Sequence, residues 1–139
     1  MTLKSYINPD LQVLNSIAKD IRLLNANWWI DIDSGEPLER NVGELLMLCV
    51  SELAEAMEGH RKNLPDDKLP HRQMFEVEIA DTLIRLFDLA GGLGLDISGA
   101  VYEKIQFNQQ RADHQIENRK GEHGKNTNET FTNENIRNR

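Results

Sequence analysis

Several features of membrane, secreted and disulfide-stabilised proteins are missing from this chain of 139 residues. Cys49 is its one cysteine, so no disulfide can form within the chain. Cys49 lies in an apolar run and reads as a core residue, not a nucleophile. No apolar run approaches the roughly 18 residues of a membrane span, and residues 1–10 lack the apolar segment of a signal peptide. These absences predict a cytoplasmic protein with no membrane partner.

Positive charge is also scarce. The chain has 16 Lys and Arg against 23 Asp and Glu, a formal net charge of -7. Sequence-independent binding of a nucleic-acid polymer needs clustered Lys and Arg against the phosphates, so the composition disfavours such a partner. An acidic protein can still bind a small polyphosphate if a metal ion supplies the positive charge.

Apolar residues recur at helical spacing in four segments, and no segment shows the convincing period-two alternation of a strand. Cap and stop signals set the expected bounds, including Asn41 before the second helix and a glycine-rich stretch at 91–94 after the third. The predicted helices run from about 9 to 25, from 41 to 61, from 72 to 90, and from a cap at 96 or 98 to about 111. We expect an all-α domain over residues 1–116. The polar tail over 117–139 is expected to be disordered in a free monomer.

The third predicted helix is apolar nearly all round. Its polar residues fall within an arc of roughly 80°, and these are Glu78, Asp81, Arg85 and Asp88. A helix of this kind is buried on several sides, so the polar stripe is expected to face an internal cleft. Because one short chain cannot easily bury such a helix, the four main helices are expected to be completed by self-association.

Two pairs of carboxylates stand at a spacing of three residues, Glu52-x-x-Glu55 and Glu78-x-x-Asp81. This spacing places both members of a pair on one face of a helix. If the two helices face each other, four carboxylates meet, and their mutual repulsion calls for a cation between them. Since the donors are all oxygens, the pattern favours Mg²⁺ or Mn²⁺ over Zn²⁺.

Other interpretations of the acidic residues stay open. Glutamate is a good helix former, and exposed pairs of this kind are common on solvated helix faces. A helical oligomerisation or interaction module without catalysis would then be the alternative function. A di-iron bundle needs Glu-x-x-His pairs, which the chain lacks, and no paired His-Asp dyad of an HD-type phosphohydrolase is evident.

The segments 51–58 (SELAEAME) and 76–81 (EVEIAD), about twenty residues apart, resemble the E-x-x-E…E-x-x-D signature of MazG-like all-α nucleoside triphosphate pyrophosphohydrolases. The later Lys104-x-x-x-Asn108-x-x-Arg111 is similar to the element on that family's next helix. The resemblance covers roughly residues 10–112 and is closest to short members of bacteriophage type. It implies a homodimer or homotetramer, located in the host cytoplasm if the chain is phage-encoded.

The resemblance also implies an activity and a set of site residues. The expected reaction is hydrolysis of a (deoxy)nucleoside triphosphate, such as the purine dGTP, to the monophosphate and pyrophosphate. The metal-binding and catalytic residues would be Glu52, Glu55, Glu78 and Asp81, with one glutamate as a candidate base. Lys104 and Arg111 would bind phosphates, and Asn108 would bind substrate or orient Lys104; a solvated helix face is the other interpretation.

Further candidates lie outside these motifs. Arg61 and Lys62 close the second helix, where they either complement the helix dipole or reach the triphosphate. By the same resemblance, Gln12 and Asn15 on the first helix would read the base. Trp28 and Trp29 form either a stacking wall for the base or an anchor in the core or in an oligomer contact.

Overall fold

The computed structural model describes residues 12–111 and confirms an all-α fold with four main helices. The elements are α1 (Gln12–Leu24), a short 3₁₀ helix (Ala26–Trp29), α2 (Val42–Lys62), α3 (Met74–Leu93) and α4 (Ile97–Gln110). The predicted helix start at residues 8–9 and the predicted tail at 117–139 lie outside the described residues. None of the helices within 12–111 combines the length and apolar character needed to cross a membrane.

The chain divides into two compact units, residues 1–99 and residues 100–139. In the first unit, α3 packs against both α1 and α2. The loop after the 3₁₀ helix folds back on itself through a bridge between Ile30 and Pro37. A second bridge, between Pro65 and Gln73, closes the connection from α2 to α3. Direct packing of α2 against α3 therefore determines the relative positions of the side chains on these two helices.

Side-chain caps fix two helix starts. Asn41 accepts a hydrogen bond from the Glu44 backbone N–H at 3.2 Å, which confirms Asn41 as the cap of α2. At the start of α4, Asp96 Oδ1 accepts from the Gly99 N–H at 2.9 Å. Of the two predicted caps, Asp96 takes the capping position, while Ser98 lies inside the helix. These bonds satisfy donors that have no partner within the helix.

The third helix ends later than predicted. It runs through Gly91 and Gly92 to Leu93, and the chain leaves it at Gly94, which has a φ of 65°. A Cβ on Gly91 would lie 2.4 Å from the Ala18 carbonyl oxygen. Gly91 therefore sits inside α3 because α1 approaches its backbone closely, and it does not end the helix. The stop signal is Gly94, in the left-handed conformation.

Apolar side chains remain on the surface of the first unit. On α3 they form one stripe whose members are all at least 38% exposed, namely Phe75, Ile79, Leu83 and Leu86. On α2 a second stripe is similarly exposed, comprising Leu46, Val50, Leu53 and Met57. Two packed neighbours therefore leave α3 only partly buried within a single chain. The α2 stripe points away from Glu52 and Glu55 by helical geometry.

Candidate functional site

An acidic cluster forms where α2 packs against α3. Its members are Glu52 and Glu55 of α2 and Glu78 of α3, and one carboxylate oxygen of each lies within 4.8 Å of the others. Glu52 and Glu78 are each 8% exposed, while Glu55 is exposed. Because α2 and α3 are direct neighbours, the Glu52 and Glu55 pair of α2 meets Glu78 of α3 at one helix contact.

Asp81 is not a member of this three-carboxylate cluster. It lies almost one turn beyond Glu78 on α3 and is partly buried. Its negative charge nevertheless contributes to raising the pKa of Glu78. The structure thus brings three of the four predicted carboxylates together and leaves the fourth beside them.

Glu78 is the carboxylate most affected by this environment. Burial, a hydrogen bond with Glu52, and the charges of Glu55, Glu52 and Asp81 raise its pKa to about 7. In the absence of a cation, the Glu78 carboxyl group is therefore partly protonated near neutral pH. This is the response expected of a carboxyl group that is forced close to others.

Arg85 belongs to the site, although the sequence predicts for it only a place on the polar stripe of α3. Its Nε and Nη2 lie 2.7 Å and 2.6 Å from the same oxygen of Glu52, Oε1. The Glu52 side chain is 10% exposed and the Arg85 side chain is 42% exposed. The one available signal was its place on the polar stripe of α3, which shows a face but not a partner on another helix.

A cleft of about 370 Å³ lies in the first unit and is linked to the acidic cluster through Arg85, which lines the cleft and contacts Glu52. The three glutamates of the cluster do not line it. Asp81, Arg85 and Asp88 line it, so three of the four residues of the polar stripe of α3 face a cleft. Glu78 does not line it, and Arg85 is exposed, so the prediction of an internal cleft is not met at these two residues. The remaining lining residues are Asn25, Trp28, Arg40, Leu45, Leu48, Ile84 and Leu89. The cleft therefore combines an apolar floor with an aromatic ring, an amide, two cations and two carboxylates.

The adjacent tryptophans differ in position. Trp28 is 69% exposed and lines the cleft, and its carbonyl oxygen accepts a hydrogen bond from Arg40. Trp29 is 8% exposed, and its Nε1 donates to both Asp88 oxygens at 3.1 Å and 3.2 Å. The Arg22 guanidinium lies 4.7 Å from the centroid of the Trp29 ring. Trp29 thus takes the position of a core anchor, and Trp28 keeps a ring free at the cleft.

The side-chain amides of α1 lie away from the cleft around Trp28. Gln12 and Asn15 line a second cleft of about 280 Å³, which shares no lining residue with the cleft around Trp28. Asn15 Oδ1 accepts from the Ser98 N–H at 3.0 Å, and its Nδ2 donates to Asp96 at 2.8 Å. The amide of Asn15 is thereby engaged in joining α1 to the start of α4. The structure does not bring Gln12 and Asn15 to the same cleft as Trp28.

The predicted phosphate-binding residues lie in two places. Arg61 and Lys62 are exposed in the last turn of α2, where Lys62 pairs with Glu58, and neither lines the cleft around Trp28. Lys104 and Asn108 lie on α4 and Arg111 directly after it, in the second unit. Their role stays a prediction.

Comparison of the chain with family models, curated proteins and solved structures finds no match. The resemblance to MazG-like enzymes therefore remains an interpretation of the motifs, and the geometry of the site has to carry the functional argument.

Proposed function

We propose that the protein is a MazG-like hydrolase that converts a (deoxy)nucleoside triphosphate to the monophosphate and pyrophosphate with Mg²⁺ or Mn²⁺. The observation that carries the proposal is the acidic cluster of Glu52, Glu55 and Glu78, linked through Arg85 to a cleft in the same unit. The two features support the proposal jointly. Together they provide oxygen donors and a space able to hold a small molecule.

The donor set fits a hard divalent cation. It offers one oxygen from each of three carboxylates within 4.8 Å, with Asp81 nearby and no sulfur or imidazole donor in the group. Mg²⁺ and Mn²⁺ prefer such donors, and one ion is commonly bound by carboxylates and by substrate phosphates together. When bound, the ion would offset phosphate charge and make water more acidic. Glu52, Glu55 and Glu78 would hold it, and Asp81 would support the site from the cleft.

The cleft supplies groups suited to the rest of a nucleotide. Trp28 presents an exposed ring on which a base can stack, and Asn25 offers an amide that can hydrogen-bond a base edge. Arg40 and Arg85 line the same space and suit anionic phosphates. A volume of about 370 Å³ is at the lower end of ordinary ligand sites. A purine nucleotide such as dGTP is the substrate we propose to test first.

Self-association to a dimer or tetramer is part of the proposal. It rests on the two exposed apolar stripes of α2 and α3, since contiguous apolar surface of this kind marks interaction sites. The same observation favours the second candidate function, a helical interaction module without catalysis. In that case, the Arg85 ion pair and the proton on Glu78 would by themselves neutralise much of the acidic cluster.

Turnover of a nucleotide panel separates the two candidates. The protein is incubated with each of the eight common NTPs and dNTPs, with Mg²⁺ or Mn²⁺, and the products are resolved by chromatography. We expect monophosphate and pyrophosphate, not diphosphate and phosphate. No turnover of any nucleotide would leave the interaction module as the better account.

Matched variants locate the activity. Glu55→Gln and Asp81→Asn should each lower the rate at least about 10²-fold, because the first removes an anionic ligand of the cation and the second removes the negative charge that supports the ligands. Glu76→Gln is the control, since Glu76 is an exposed acid of α3 that pairs with Arg72. Loss of activity in Glu76→Gln as well, or full activity in both site variants, would contradict the assignment.

A further inference from the structure

We propose that Arg85 is a positioning residue that exchanges partners: it neutralises Glu52 in the metal-free protein and turns to an anionic phosphate in the cleft when a divalent cation binds the acidic cluster. This inference rests on the proposed function. It gives a role to Arg85, a cation in direct contact with the cluster through Glu52.

The geometry of the ion pair is one-sided. Two nitrogens of Arg85, Nε and Nη2, contact Oε1 of Glu52, and Arg85 also lines the cleft. Glu52 is held by its surroundings, whereas the Arg85 side chain is 42% exposed. Of the two partners, the arginine is therefore the one with room to move.

Competition for Glu52 follows from charge. Oε1 of Glu52 would bind the guanidinium less strongly if it also bound a divalent cation. The guanidinium and the cation would in addition repel each other, because both would lie next to the same carboxylate. Arg85 remains protonated throughout, because a guanidinium does not lose its proton in proteins. A cation on the cluster therefore raises the free energy of the Arg85 and Glu52 pair without abolishing the charge of Arg85.

The cleft offers the released guanidinium new anions. Arg85 lines it together with Asp81 and Asp88, and a triphosphate in the cleft would bring more concentrated negative charge than either carboxylate. A planar guanidinium fork matches phosphate oxygens, and such charge-assisted bonds are among the stronger ones in proteins. Metal and phosphate would then bind in a linked manner, each favouring the position of Arg85 that the other needs.

The exchange predicts opposite effects of one substitution on two ligands. In Arg85→Gln, affinity for Mn²⁺ alone should rise about fivefold or more, because the ion no longer competes with a cation for Glu52. Affinity for inorganic tripolyphosphate at saturating Mn²⁺ should fall about tenfold, because the phosphate loses a guanidinium partner. Loss of any cation beside the cluster would strengthen metal binding, so the weaker binding of tripolyphosphate is the effect that distinguishes the exchange.

Isothermal titration calorimetry of four proteins measures the affinities for Mn²⁺ and for tripolyphosphate. The wild type and Arg85→Gln are compared with Arg85→Lys, which keeps the charge without the planar fork and should give smaller changes in the same directions. Arg72→Gln removes an equal charge from an exposed pair with Glu76 and should leave both affinities within about twofold. If Arg85→Gln does not fold, Arg85→Lys carries the comparison.

Each outcome decides the proposal. Tighter Mn²⁺ binding with weaker tripolyphosphate binding supports the exchange. Unchanged Mn²⁺ affinity in the Arg85 variants overturns it, even where the wild type hydrolyses nucleotides. Tighter Mn²⁺ binding with unchanged tripolyphosphate affinity also overturns it, because Arg85 would then turn to Asp81 or Asp88. Support for the exchange in a protein that hydrolyses no nucleotide would refute the proposed function alone.

Discussion

Gly92 lies against the edge of the Trp29 indole, so closely that a Cβ on Gly92 would stand 2.2 Å from Cη2 of Trp29. The same indole donates from Nε1 to Asp88, which lines the cleft. The absence of a side chain at position 92 therefore lets the ring sit where it can hold a carboxylate of the site.

Substitution of Gly92 tests this contact. Gly92→Ala should lower the free energy of unfolding by about 1–3 kcal/mol, because the ring has to shift or the helices have to separate. Chemical denaturation of the purified variants measures the effect. Gly43→Ala is the control, since within residues 12–111 a Cβ at position 43 would meet the Asn41 side chain, at 3.3 Å, and alanine favours the helix. Equal stabilities of wild type and Gly92→Ala would mean that the ring is not held there.

The raised pKa of Glu78 predicts a pH dependence of stability. Its pKa in the folded state is about 7, compared with an ordinary value of 4.5, so the folded protein binds more protons between these two values. Stability should therefore fall as pH rises from about 4.5 to about 7, by on the order of 1–3 kcal/mol from this group. Below that range both states carry the proton, and above it neither does.

Glu78→Gln isolates this contribution from that of other groups. Glutamine cannot ionise, so the variant should not lose this contribution as pH rises. The melting temperature of the variant minus that of the metal-free wild type should therefore increase from pH 4.5 to pH 7 and then level off. A difference that stays constant with pH would show that Glu78 titrates as an ordinary exposed carboxyl group.

Divalent cations should stabilise the folded chain. Millimolar Mg²⁺ or Mn²⁺ is expected to raise the melting temperature of the wild type, because an ion that binds only the folded state shifts the equilibrium and relieves carboxylate repulsion. Glu78→Gln should show a smaller increase. Calorimetry with and without the metal measures both. Melting curves that do not respond in either protein would favour the non-catalytic interaction module.

Asn15 and Gln12 should behave differently when replaced. Asn15→Ala removes the acceptor of the Ser98 N–H and the donor to Asp96, so it should cost about 1–2 kcal/mol of stability. Gln12→Ala, at an exposed position in the first turn of α1, should change stability by less than about 0.5 kcal/mol. Denaturation of the two variants provides the comparison, and similar losses would contradict a structural role specific to Asn15.

The apolar stripe of α2 gives a test of self-association. Leu53→Lys places a charge in the middle of that stripe and should shift the protein toward the monomer, as measured by sedimentation at micromolar concentration. Ser51→Lys adds the same charge at an exposed position on another face of α2 and should leave assembly unchanged. A wild type that sediments as a monomer would remove the expectation altogether.

The helices, and the placement of Glu52 and Glu55 on one face of α2, could be predicted because both depend on periodic spacing along one helix. The pairing of Arg85 with Glu52 could not, since it depends on how α3 is rotated against α2. Similarly, the bond between Asn15 and Ser98 joins residues 83 positions apart. Gly91 and Gly92 were misread as a helix stop because their role is set by Ala18 and Trp29, which are distant in sequence.

The contact between Gly92 and Trp29 also restricts how this fold can diverge. A lineage that acquired a side chain at position 92 would need a smaller ring at position 29, and would thereby lose the indole N–H that holds Asp88. In an alignment of related chains, positions 29, 88 and 92 should therefore vary together, although 63 residues separate the first from the last.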